Sequence, residues 1–140
     1  MADVIYNSFK KKIMDGSIDL DTDTIKVALV TSSYTPDQDA HDFFDDVTNE
    51  VSGTGYTAGG ASLANKAVTA DNTDNEGVFD ADDVAWTTST ITARGAVIYK
   101  STGTASTSPL ICYLDFGSDK ISTAGTFTIS WNAEGILNLN

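Results

Sequence analysis

The stretch "DVAWTTSTITARGAVIYKS", residues 83–101, decides the fold class. Valine, isoleucine, threonine, tyrosine and tryptophan crowd it, no proline interrupts it, and such side chains suit a pleated, half-buried surface. We read it as two consecutive strands, "DVAWTT" and "STITARGAVIYKS". Working outward, "IKVALVT" (25–31), "SLANKAVTA" (62–70), "PLICYLDFG" (109–117), "GTFTISW" (125–131) and "GILNLN" (135–140) have the same character. Gly, Asn, Asp, Ser and Thr turns separate them. About eight strands with no helices between them predict a mainly β chain, an antiparallel β-sandwich with a jelly roll as the leading form. Ile25, Val27 and Leu29 are expected on one face with Lys26 opposite. Leu110, Cys112, Leu114 and Phe116 should form one apolar wall, and Phe127, Ile129 and Trp131 another.

Two helices are expected beside the sheets. In "MADVIYNSFKKKIMDG" (1–16), Val4 or Ile5, Phe9 and Ile13 with Met14 recur at helical spacing, and Gly16 stands where a C-terminal cap belongs. In "PDQDAHDFFDDV" (36–47), a proline and a capping aspartate precede Phe43, Phe44 and Val47, which predicts one short additional helix. No linker or internal repeat divides the chain, so a single domain over 1–140 is expected.

Twenty acidic against eight basic side chains give a formal charge of −12. A surface that negative is repelled by phosphate backbones and anionic leaflets, so neither nucleic acid nor membrane is an expected partner. The first residues carry charges where a secretory signal needs an apolar run, and no segment approaches ~18 apolar residues in a row. A soluble chain made in the cytoplasm follows as the expectation. Cys112 is the sole cysteine, in an apolar setting that predicts a buried, inert thiol.

Chemistry-bearing motifs are weak. Counted as a calcium loop, Asn72–Asp83 places Asp74, Glu76, Gly77 and Asp80 at ligand or turn positions. Its first residue is Asn, its last is the short Asp83, and its flanks read as strands, so a solvated acidic loop is expected and no metal. His41 has no nucleophile motif to serve and reads as a helix-surface residue. "GTGYTAGGAS" (53–62) lacks the lysine of a phosphate loop and reads as a flexible loop. Arg94, the one arginine, is expected to pair with an aspartate or to anchor an interface. Trp86 and Trp131 are expected in the core. No catalytic residue or cofactor emerges, and the chain is not expected to be an enzyme.

The segments "IYNSFKKKIMDGSIDLDTDTIKVALVTSSYTP", "DVTNEVSGTGYTAGGASLANKAVT", "FDADDVAWTTSTITARGAVIYK", "PLICYLDFG" and "FTISWNAEGILNL" resemble capsid cement (decoration) proteins of tailed bacteriophages. That resemblance implies a jelly-roll structural protein on the outer surface of the virion head, binding the major capsid protein as an oligomer; because shell sites often lie on symmetry axes and a closed interface buries strand edges, a dimer, or alternatively a trimer, is expected. A tail or receptor-binding β-module is the competing expectation; it would expose Tyr6, Tyr34 or Tyr56 for sugar stacking. For capsid or subunit contact we expect Lys10, Lys11 and Lys12, the densest basic cluster, with Tyr6 and Phe9 as apolar anchors beside them and Arg94 as a further contact.

Overall fold

The two segments read within residues 83–101 are a single strand in the computed structural model, which describes residues 2–140; residue 1 of the expected 1–140 domain lies outside that range. In chain order the elements are β1 (Val4–Ile5), α1 (Asn7–Met14), β2 (Ile25–Val30), β3 (Ala61–Ser62), β4 (Ala67–Asp71), β5 (Glu76–Asp80), β6 (Val84–Lys100), β7 (Leu110–Ile129) and β8 (Leu137–Leu139). The protein is mainly β, with two antiparallel sheets: a five-stranded one in the order β1-β7-β6-β2-β3 and a three-stranded one in the order β4-β5-β8. "PLICYLDFG" and "GTFTISW" likewise join into β7. Both unions come from cross-strand pairing, because β6 and β7 are ladder partners from Val84↔Ile129 to Tyr99↔Leu110. Bulges, including one between Trp86 and Ser89, absorb the irregularities that read as breaks in the sequence.

Alternation along β2 has a different cause from the one expected. Ile25, Val27 and Leu29 enter the main core, as predicted, but Ala28 and Val30 on the opposite face are equally buried. The large sheet is covered on both faces. Its second face packs Val97, Tyr99, Leu110 and Tyr113 against Tyr6 and Tyr34, with Phe44 and Val47 at the margin. The wall expected from Leu110 to Phe116 is split accordingly. A bulge between Ile98 and Tyr99 shifts the phase of β7, so Cys112, Leu114 and Phe116 join the main core while Leu110 turns to the other cluster. Phe127 and Ile129 share the main core with Trp131 packed against them, as expected. Phe79 of β5 is buried there and Leu137 of β8 packs on it, so the two sheets enclose one core.

The N-terminal helix starts later than its periodicity predicts. Val4 and Ile5 pair instead with Tyr113 and Cys112 of β7, and α1 keeps Phe9 buried and ends before Gly16, whose φ of +79° suits glycine. The second expected helix is not an α-helix. Residues 44–46 form one tight turn of the 3₁₀ type, and a similar turn covers Ala105–Thr107. The reason lies in the aspartates. Asp37 accepts from the amides of Asp39 and Ala40, and Asp46 from those of Asp42 and Phe43. Such side-chain bonds offer the backbone an alternative to helical hydrogen bonds. No helix is long and apolar enough to cross a membrane among the described residues.

Candidate functional site

Lys10 and Lys11 are exposed and Lys12 is half-buried, its ammonium 4.9 Å from the Phe43 ring centroid. Lys11 and Lys12 lie in the last turn of α1, where cations favour the negative end of the helix dipole. The anchors expected beside them are corrected: Tyr6 is 0% and Phe9 7% exposed. Phe9 lies on the inward face of α1 and Tyr6, just before that helix, packs into the second cluster, so neither has surface to offer a partner. The large apolar side chain that stands outside on α1 is Met14, 82% exposed.

Tyr34 is also withdrawn from any sugar-stacking role. Its hydroxyl lies 2.8 Å from that of Tyr6 and 2.9 Å from His41 Nδ1, which in turn accepts the Asp37 amide at 3.2 Å. With Nδ1 acting as acceptor, the chain of donation runs from Tyr6 to Tyr34 to His41. Burial pushes the Tyr34 phenol up to about 12 and that of Tyr6 higher still. His41 is therefore not a helix-surface residue; it closes a polar network stacked on Tyr34, with ring centroids 5.7 Å apart.

The loop "GTGYTAGGAS" is pinned, contrary to the flexible reading. Glu50 Oε2 accepts from the Tyr56 hydroxyl and the Gly59 amide, both at 2.7 Å. Tyr56 Oη also accepts the Leu29 amide at 2.9 Å, and Tyr99 Oη donates to the Gly59 carbonyl at 2.6 Å. Tyr56 packs against Trp86 with centroids 5.8 Å apart, so it is no exposed platform. Burial, and then the Glu50 carboxylate, push its phenol well above the ordinary tyrosine value. Glu50 also borders an open depression of about 480 Å³ with Thr31, Thr54, Thr90 and Thr92. One of its oxygens is committed to holding the loop. A second depression, about 370 Å³, runs along β7 beside Phe116, Lys120, Ile121 and Phe127.

Arg94 Nε donates to Asp115 Oδ1 at 2.8 Å, so the expected ion pair is present. The guanidinium, with the Gly117 amide, holds the Asp115 carboxyl down to about 2. Trp86 is buried as expected. Trp131, half-buried, donates its indole N–H to the Asp82 carbonyl at 2.8 Å. Cys112 is buried as expected, and burial pushes its thiol up to about 12.

The acidic stretch is a β-hairpin, β4 and β5 joined through Asn72–Asn75, with Asn75 at φ +58°. The calcium-loop spacing does not gather its own set. The carboxylates that converge are Asp71, Asp74, Glu76 and Glu134, with oxygens within 4.8 Å of one another. Asp71 precedes the counted loop and Glu134 arrives from far along the chain, so no local spacing announces either. These four are the residues that could hold a cation. Two already have partners: Asp71 Oδ1 accepts the amides of Thr73 and Asp74, and Asn138 donates to Glu76. The cluster is half-buried to exposed, where water and salt screen its like charges. A chelator is expected to move the melting temperature by less than about 5 °C, equivalent to roughly 1 kcal/mol for a domain of this size. A larger drop in a calorimetric scan would make the cluster a structural metal site.

No family model, curated protein or solved structure matches the chain.

Proposed function

We propose that the protein is a capsid cement protein, attached to the outer surface of a bacteriophage head and binding the major capsid protein there. The observation that carries this reading is the charge distribution. A chain of −12 whose carboxylates stud the loops and the β4–β5 hairpin is repelled by packaged DNA and suits the outside of a shell. Extensive ladder pairing supports a mechanical role, since β6 and β7 run beside each other over most of their length and the large sheet is buried on both faces. Cementing then follows from linkage: a ligand of the expanded lattice stabilises that lattice in proportion to its differential affinity. The finer jelly-roll reading rests on the two antiparallel sheets and the number of strands. Their order, with β6 and β7 as hairpin neighbours in one sheet, does not trace two interleaved Greek keys.

The test is co-sedimentation of purified protein with unexpanded and expanded shells that lack it. Binding at least about tenfold tighter to expanded shells is expected, together with a higher temperature of DNA release from decorated heads. Equal or absent binding would remove the cement role. Labelling of virions on the tail would replace it with the tail-module reading, which the burial of Tyr6 and Tyr34 already disfavours as a sugar platform.

A further inference from the structure

The turn at residues 37–41 closes on its own histidine. The His41 amide donates to the Asp37 carbonyl at 3.0 Å, and the Asp37 amide returns a bond to His41 Nδ1 at 3.2 Å. A backbone amide can only donate, so Nδ1 offers its lone pair there and the ring proton belongs to Nε2. The Tyr34 hydroxyl donates to the same nitrogen. One imidazole lone pair thus serves two donors. The turn in its place seats the N-terminal segment. Gln38 sends its side-chain amide to the Ile5 carbonyl at 2.8 Å, and its own carbonyl accepts the Asn7 amide at 3.0 Å. That amide is the first of α1, one of the donors a helix cannot satisfy internally. Asp39 accepts from the Asn7 side chain at 2.6 Å.

We propose that His41 is an acid-sensitive latch: gain of a proton at Nδ1 releases the 37–41 turn and loosens the seat of β1 and of the start of α1. The proton comes from water and occupies the lone pair that both donors use. Tyr34 must then turn its O–H to the Tyr6 oxygen, and the Tyr6 O–H has no other acceptor at bonding distance among the described residues. The Asp37 amide is left facing an N–H. Donors deprived of a partner in this way are costly where they are buried, as the Tyr6 hydroxyl is. Surrounding charges do not restore the lost acceptor. The Asp37 and Asp46 carboxylates attract an imidazolium, but Asp37 is exposed and Asp46 half-buried, where salt screens them. Each already accepts two backbone amides. From α1, Lys12 stands over Phe43, and from β7 the Tyr113 ring meets Tyr34 edge-on with centroids 5.9 Å apart; neither hydrogen-bonds to the imidazole. His41 is the sole histidine, so a response between about pH 7 and about pH 5.5 is its own.

The latch belongs to the isolated chain and is tested without shells, so its outcome is separate from that of the cement reading. Amide hydrogen exchange of the full-length protein, corrected for the intrinsic effect of pH, is the measurement. The amides of Asn7, Asp37 and His41 are expected to lose protection by about tenfold or more between about pH 7 and about pH 5.5, reversibly, while those of β6 and β7 keep theirs. His41→Asn sets an amide oxygen where Nδ1 stands and cannot gain a proton, so it should keep these amides protected at both pH values. His41→Ala should leave them unprotected at both. Equal protection of the parent chain at the two pH values overturns the proposal. So does a pH response retained by His41→Asn, which would assign it to the carboxylates. Nitrogen NMR of the unaltered imidazole gives a check that needs no variant: Nδ1 is expected to be bare at about pH 7, and a proton on it there overturns the proposal equally.

Discussion

Gly60→Ala is expected to cost about 3–6 kcal/mol, enough to unfold much of the population of an ordinary domain. Gly60 has φ +77°, and a methyl group there would lie 1.8 Å from the Val27 carbonyl oxygen and 2.7 Å from Ala28 Cα. Neither neighbour can retreat, because Val27 pairs with Ile98 on one side and with Ala61 on the other. The glycine itself would have to move. That would take β3 with it and break the bond from the Leu63 amide to the Ile25 carbonyl. Gly103→Ala is the matched control, since Gly103 has φ +88° with open space where its side chain would stand. It should cost only the backbone strain, about 1 kcal/mol. Urea unfolding of the two variants gives the comparison directly. Similar losses would show that the close approach of Gly60 to β2 contributes nothing.

The second large effect is expected from removing a single oxygen. Tyr56→Phe should destabilise by about 2–4 kcal/mol, because that hydroxyl serves a buried strand amide and a half-buried carboxylate at once. It accepts the Leu29 amide and donates to Glu50. In its absence a buried strand amide loses its acceptor, and a carboxylate loses one of its donors. The Tyr56 hydroxyl takes the place of a neighbouring strand at that point in the ladder, since β3 pairs with β2 only at Lys26 and Val27. Hydrogen exchange would localise the damage, with the Leu29 amide expected to lose protection. Glu50→Gln keeps an acceptor for both donors and should cost less than the tyrosine change. If Tyr56→Phe melts within about 2 °C of the parent, the hydroxyl is not an essential ladder partner.

How much of this was legible in the sequence depends on the range of the interaction concerned. Periodicity located the strand content, the helix around Phe9 and Ile13, and the buried settings of Cys112, Phe127 and Trp86, all governed by local pattern. It broke β6 and β7 into pieces, because the continuity of each strand depends on its partner. It also placed a helix at residues 36–47, where Asp37 and Asp46 bind backbone amides instead. Tyr6, Tyr34 and Tyr56 illustrate the limit most clearly. Tyrosine composition is the same for a sugar platform and for a buried hydrogen-bond network, and only distant partners such as His41 and Glu50 decide between them. The carboxylate cluster was hidden for the same reason. Glu134 joins Asp71, Asp74 and Glu76 from a segment that no spacing rule connects to them, while Lys10, Lys11 and Lys12 were visible as neighbours.

The brevity of β1 has a consequence for how the chain survives crowding. Val4 and Ile5 cover β7 only at Tyr113 and Cys112, and among the described residues the same border of β7 onward to Ile129 has no partner strand. Such a border is a template on which another extended chain can add itself, the first step toward fibres. Here it is guarded by composition and shape. Asp119 and Lys120 stand immediately before the exposed Ile121, Gly117 and Ala124 turn the backbone at positive φ, and the bulges against β6 add twist. The chain can thus keep a long open border without inviting a further strand along it.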